Sequence, residues 1–200
     1  MSQVTEVYFL KTTETQDAVD LIKRASQKGC VLPEKNGWVT FVVETKFAHS
    51  EISSHNEGVL LYLVMAEDFE WQFTLFYKSK QAVFYRCVIN SAAIMSDFDI
   101  EEPRNAPELS LKEILMYDRS ADWNLIEKAL ANFEDYAEKK EVIEKLILPE
   151  KHKTVIHTKE AYRFCEDMGL FFYDWISYHY IGQNDELHYG KYGTFPIIHV

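Results

Sequence analysis

The chain has 200 residues, of which 47% are hydrophobic and 26% are charged, so it can bury a substantial core and is not expected to be disordered. Its formal net charge of −11 opposes binding to nucleic-acid phosphates and to anionic membrane surfaces, and permits a basic partner. The three cysteines, Cys30, Cys87 and Cys165, are far apart, which excludes a zinc ribbon or a redox dithiol.

The sequence predicts a cytoplasmic protein. Residues 1–17 contain no basic region, no long apolar stretch and no cleavage site, so they are not expected to act as a signal peptide. The longest apolar run, Val59 to Ala66, is far shorter than the ~20 residues that a membrane helix needs. Isolated cysteines in apolar surroundings are typical of buried, reduced thiols.

The first half of the chain is predicted to be rich in strands, with one early helix. From Ala18 to Ala25 apolar residues recur at helical spacing, and Gly29 is a natural stop. Residues 78–80 are a short polar connection between two strands, which predicts a hairpin. Alternating or continuous apolar patterns predict strands at residues 4–10, 38–44, 59–65, 71–77 and 82–89.

The second half is predicted to be helical. A short helix is expected from Ser110 to about Tyr117, with Glu113 placed for a capping box. A longer helix is expected from about Asp122 to Leu146, and another from Thr158 to Gly169. Each has apolar residues on one face.

Strands followed by helices favour an α+β fold. We expect a mainly antiparallel sheet with one early helix in the N-terminal half, packed against a helical C-terminal half. The whole chain is interpreted as a single domain, 1–200, with a sheet-rich part at 1–90, a linker at 90–108 and a helical part at 109–200.

Residues 171–180, here named the aromatic segment, contain six aromatic residues together with Asp174 and His179. Helix is favoured over strand, since Gly169 precedes the segment and Gly182 can end it. A helix would place Phe172, Trp175, Ile176 and His179 on one buried face that seals the helices onto the sheet. Alternatively, the aromatic side chains with polar tips could line a pocket for a flat or peptide-like ligand. The candidate ligand-binding residues are Trp175, Tyr178, His179 and Tyr180.

Two acidic clusters are candidates for binding a basic protein partner. The first precedes the hairpin and the second lies in the linker. The alternative is that both clusters are solvated surface without a binding role, which is common for such charge runs. The second cluster lacks the glycine and glutamate spacing of an EF-hand. The candidate partner-binding residues are Glu67, Asp68, Glu70, Asp97, Asp99, Glu101 and Glu102.

The sequence contains none of the common catalytic motifs: GxxxxGK[ST], GxGxxG, GxSxG and HExxH are all absent. A nucleophilic set of Cys165, His179 and Asp174 is conceivable, but Cys165 lies on a predicted helix next to Glu166, whose charge would raise a thiol pKa. No catalytic residue, metal site or cofactor is therefore predicted. In size, acidity and pattern, with no motif behind the likeness, the chain resembles small acidic bacterial proteins, including contact-toxin immunity proteins.

The leading hypothesis is a non-enzymatic protein-binding module, immunity-like or regulatory, whose acidic surface holds a basic partner. The alternative is a small-molecule-binding sensor or enzyme with a pocket where the aromatic segment meets the sheet. The predicted hairpin is apolar on both faces, so a homodimer is a third interpretation.

Overall fold

The computed structural model describes residues 4–46, 48–66, 70–89, 115–131, 133–148 and 157–200. The predicted linker at 90–108 lies outside these residues. The strands in the described ranges are β1 (Val4–Lys11), β2 (Gly29–Val31), β3 (Trp38–Val43), β4 (Val59–Ala66), β5 (Glu70–Tyr77), β6 (Lys80–Ile89), β7 (Leu115–Ala121), β8 (Glu186–His188), β9 (Thr194–Pro196) and β10 (Ile198–His199). The helices are α1 (Thr15–Arg24), α2 (His49–Ser54), α3 (Trp123–Leu130), α4 (Tyr136–Ile147), α5 (His157–Met168) and α6 (Tyr178–Ile181).

Eight of these strands form one antiparallel sheet in the order β10-β2-β3-β1-β4-β5-β6-β7. Strands β8 and β9 form a separate small hairpin. The sheet is built mainly from the N-terminal half, α1 is the early helix, and further helices follow in the C-terminal half. The predicted α+β fold is therefore confirmed.

The sheet is covered on both faces, so neighbouring residues of one strand enter different cores. Phe9 lies in the core between the sheet and helices α3, α4 and α5. Its neighbour Tyr8 lies in the core that α1 and α2 cover. This alternation follows from the two-residue period of a strand. On the first face, the rings of Phe73 and Phe164 stack with their centroids 4.2 Å apart.

Strand β7 corrects the prediction of a short helix from Ser110 to Tyr117, of which residues 115–117 are described. These residues pair with β6, and Cys87 lies opposite Tyr117 in the register. Tyr117 is partly buried against the core while Met116 is exposed, which is the alternation of a strand. The helical signals at residues 110–113 are local, whereas β6 offers a long-range pairing partner that overrides them.

The single helix predicted from Asp122 to Leu146 is also wrong, because two helices occupy this range. Asp122 does cap the first one: its carboxylate accepts hydrogen bonds from the backbone N–H groups of Asn124 and Leu125, at 3.0 and 3.2 Å. Helix α3 then ends at Leu130. Phe133, between the two helices, is buried, with its ring centroid 5.6 Å from that of Trp38.

The aromatic segment is not the continuous helix that was predicted, since only Tyr178–Ile181 is helical there. Phe172 and Ile176 are buried, but Trp175 is 50% exposed and His179 is exposed, so the four residues do not share one buried face.

None of the helices in the described ranges combines the length and apolar character that crossing a bilayer requires.

Candidate functional site

The start of the aromatic segment, Phe171 and Phe172, is packed against the β8–β9 hairpin. The Phe172 ring is fully buried, with its centroid 5.0 Å from the ring of Phe195 and 5.3 Å from that of Tyr189. Phe171 contacts Phe195 and Tyr192 edge-on. These rings form a small aromatic core that ties the end of the chain to the segment after α5.

Tyr189 fixes the turn that follows this core. Its hydroxyl oxygen accepts hydrogen bonds from the backbone N–H groups of Tyr173, at 3.3 Å, and Asp174, at 3.1 Å. Burial raises the pKa of Tyr189 to about 12. The side chain of Asp174 is held separately by the hydroxyl of Tyr162, at 2.9 Å.

Trp175 adopts a left-handed backbone conformation, with φ of 60°. On one side of it, Tyr189 holds the N–H of Asp174. On the other, the carbonyl of buried Ile176 accepts a hydrogen bond from the N–H of Glu6, at 3.0 Å. That N–H is available because the pairing of β1 with β3 begins only at Tyr8. A left-handed non-glycine residue costs about 1–2 kcal/mol, so it persists only where its surroundings fix it.

The remaining candidate ligand residues lie on α6 and follow Trp175 directly. Tyr180 is 36% exposed, and the His179 ring packs against it edge-on, with centroids 5.5 Å apart. Tyr178 is half-buried and lies close to Gly182, where an added Cβ would approach its ring to 2.9 Å. Burial, and then the charge of Glu44, raises the pKa of Tyr178. Three of the candidate residues are thus exposed and the fourth, Tyr178, is half-buried. The four residues, which are neighbours in the chain, are named here the aromatic surface: Trp175, Tyr178, His179 and Tyr180.

Acidic and polar residues adjoin the aromatic surface. The side-chain amide of Asn184 donates a hydrogen bond to the carbonyl of Tyr180, at 2.9 Å, and the Asp185 and Glu186 side chains that follow are exposed. Most of the exposed large hydrophobic side chains of the described residues belong to the same part of the chain. They are Trp175, Tyr180, Tyr192 and Ile198, with Met116 and Leu148 elsewhere.

Of the candidate partner-binding acids, only Glu70 falls within the described residues. Its carboxylate makes a two-pronged ion pair with Arg86 on the neighbouring strand, with N–O distances of 2.7 and 3.1 Å. Its charge is therefore partly compensated within the chain. The other candidates, Glu67, Asp68, Asp97, Asp99, Glu101 and Glu102, lie outside the described residues.

The Cys165 thiol is unsuited to nucleophilic chemistry. Cys165 is enclosed in the core, and burial, followed by the charges of Glu166 and Asp174, raises its pKa well above the ordinary value. A nucleophile needs the thiolate, which these surroundings disfavour. The carboxylate of Asp174 is hydrogen-bonded to Tyr162, and the ring of His179 packs on Tyr180.

A different thiol–imidazole pair was not found from the sequence. Cys30 Sγ lies 3.5 Å from Nδ1 of His199, and Nε2 of His199 lies 2.9 Å from the carbonyl oxygen of Asn184. This order of groups is that of an activated thiol. However, Cys30 is fully buried, and burial raises its pKa to about 11. The pair therefore holds β10 against β2 rather than presenting a nucleophile.

Within the part of the chain that the structure describes, no three His, Cys, Asp or Glu side chains converge as metal ligands do. No protein-family model, no curated protein and no solved structure matches the chain. What the protein does must therefore be argued from its own geometry.

Proposed function

We propose that this protein is a non-enzymatic protein-binding module that contacts a basic partner through the aromatic surface. The observation that carries the proposal is Trp175, a half-exposed indole on a backbone held on both sides by hydrogen bonds. Tryptophan and tyrosine dominate the energetics of protein interfaces because each offers a large contact area with few rotatable bonds. A fixed backbone reduces the entropy that binding must overcome.

The charge of the molecule supports a basic partner. The chain carries a net charge of −11, and Asp185 and Glu186 are exposed close to α6. Acidic groups around apolar anchors favour a partner of opposite charge and speed its encounter. The same charge disfavours nucleic acid as a partner.

In its finer form, the proposal is an immunity-like role in the cytoplasm, where the protein would bind and block a basic toxin such as a nuclease. The resemblance to small acidic immunity proteins and the acidic charge support this form. The buried thiols of Cys30, Cys87 and Cys165 fit a reducing compartment.

Partner capture with two matched variants tests the proposal. Tagged wild-type protein would be used to capture partners from native cells, and a captured partner would be purified for calorimetric titration. Trp175→Ala should weaken its binding by roughly thirtyfold, the effect of losing an anchor of about 2 kcal/mol. Met116→Ala, which truncates a 58% exposed side chain on β7, should leave the affinity unchanged.

Salt dependence then tests the charge of the partner. For a basic partner held by acidic groups, the affinity should fall steeply as the salt concentration rises. Salt-insensitive binding, or equal affinities of the Trp175→Ala variant and the wild type, would contradict the proposal. Sedimentation at several protein concentrations distinguishes a second copy of this chain from a foreign partner.

A further inference from the structure

A cleft of about 760 Å³ lies where the end of β1, the start of β3, the α3–α4 connection and the end of α5 meet. It contains none of the residues of the aromatic surface. Its walls combine charged, polar and aromatic groups, as small-molecule sites do. The lining residues that matter for its chemistry are Lys11, Asn36, Gly37, Phe133, Asp135 and Lys139.

Lys11 is the residue of the cleft whose hydrogen-bond donors are least used. Its ammonium nitrogen lies over the rings of Phe133 and Trp38, at 4.7 and 5.2 Å from their centroids. It donates one hydrogen bond, to the carbonyl of Asn36 at 3.3 Å. Among the described residues, no carboxylate forms an ion pair with it. A half-buried ammonium that forms no ion pair can bind the anionic group of a ligand.

Lys139 differs, because two of its three donors are already used. Its ammonium pairs with Asp135 at 2.7 Å and donates to the backbone carbonyl of Asp167. Its side chain is nearly buried, so this arrangement is a fixed part of the cleft wall. Burial lowers the pKa of Lys11, the charges of Asp135, Glu34 and Glu134 oppose this, and the charge of Lys139 adds to it. An anion beside Lys11 would offset the repulsion from Lys139.

Two glycines in left-handed conformations line the cleft, and one of them, Gly37, leaves room for the head of Lys11. Both Gly37 and Gly169 have φ of +75°, and an added Cβ at Gly37 would lie 2.6 Å from Lys11 Nζ. The side-chain amide of Asn36 donates to the carbonyl of Gly169, at 3.1 Å, which ties the two loops together. This bond holds two walls of the cleft together without a ligand.

We propose that this cleft binds a small organic anion, whose single carboxylate or phosphate group takes the remaining donors of Lys11. Glu134 and Asp135 also line the cleft and disfavour a ligand with more than one anionic group. This site is separate from the aromatic surface, and its ligand is independent of the proposed protein partner.

Titration with two simple anions tests the inference. Benzoate and inorganic phosphate would be added in separate arms at constant ionic strength, with the indole N–H resonance of Trp38 followed by NMR. Trp38 lines the cleft, and its indole donates to the carbonyl of Met168 at 3.2 Å, so its resonance is a local reporter. A saturable shift with benzoate alone indicates a carboxylate ligand, and one with phosphate alone indicates a phosphate ligand. No saturable shift in either arm overturns the proposal.

Lysine variants show whether Lys11 is responsible. Lys11→Met removes the charge but keeps the apolar stem, and should weaken binding by about tenfold or more, the loss expected for one charged hydrogen bond. The matched control is Lys35→Met, since the Lys35 ammonium also lies over two rings, Phe195 at 5.2 Å and Phe171 at 5.9 Å, but does not line the cleft. Equal binding by both variants overturns the assignment. If Lys11→Met does not fold, Lys11→Gln, which removes the charge but keeps a polar side chain, serves in its place.

Discussion

Two rings of the aromatic segment, Phe172 and Trp175, lie in opposite environments. Phe172 is fully enclosed beneath the β8–β9 hairpin, whereas Trp175, three positions later, is half exposed. The change occurs at one turn, which is held by the hydroxyl of Tyr189 and by the bond from Glu6 to Ile176. Aromatic content alone therefore does not distinguish a core ring from a surface ring, whereas the backbone between the two is fixed by hydrogen bonds to distant parts of the chain.

The largest expected contrast is in stability. Phe172→Ala removes a fully buried ring and should lower the free energy of unfolding by ~3–5 kcal/mol. Trp175→Ala, at a half-exposed position, should cost far less. Urea denaturation of both variants measures the difference. Similar costs for the two would mean that the environments of Phe172 and Trp175 do not differ as described.

The next contrast concerns the turn itself. Tyr189→Phe leaves the N–H groups of Tyr173 and Asp174 without their acceptor, which should cost about 1–3 kcal/mol at neutral pH. Tyr192→Phe is the matched control, because Tyr192 is exposed and belongs to the same aromatic core. An equal cost for both variants would show that the hydroxyl of Tyr189 does not stabilise the turn.

The pH dependence of this variant has a definite sign. The pKa of Tyr189 is raised to about 12 in the folded state, so folding favours its protonated form. The stability that depends on this proton is complete below the unfolded pKa of about 10 and is lost as the pH rises towards 12. The difference between wild type and Tyr189→Phe should therefore narrow above pH ~10. A constant difference across this range would contradict the burial of the hydroxyl.

The smallest contrast isolates the backbone at Trp175. Because φ is 60° there, Trp175→Gly should be more stable than Trp175→Ala, by about 1 kcal/mol. At His179, within α6, the order should reverse, and His179→Gly should be the less stable by ~0.5–1 kcal/mol. Thermal unfolding of the four variants gives both differences. The same order at both positions would argue against a left-handed Trp175.

Local patterns predicted the parts of the fold that local interactions determine. Strand β4 is apolar from Val59 to Met65 because both faces of the sheet are covered there, and the sequence shows that directly. The β5–β6 hairpin was also predicted, because a short polar turn joins its two strands. In contrast, β7 depends on β6 across a long interval of sequence, and its neighbouring helical signals were misleading.

The candidate sites were less predictable because they are assembled from distant residues. Trp175 was identified as a candidate from its aromatic neighbours, but its exposure depends on Glu6 and Tyr189. The cleft brings Lys11 close to Lys139 and Asp135, and neither lysine stands in a recognisable motif. The periodicity within one element does not show which distant residues lie close together. Their proximity follows only from the strand order and the break between α3 and α4.

The contact between Cys30 and His199 spans 169 positions of the chain. At synthesis rates of ~5–20 residues per second, β2 emerges on the order of ten seconds before β10 exists to cover its edge. During that interval β2 presents unpaired backbone groups that other strands can join. Substitutions that weaken β10 should therefore lower the yield of folded protein in the cell, and raise its dependence on chaperones, by more than the stability of the purified molecule would suggest.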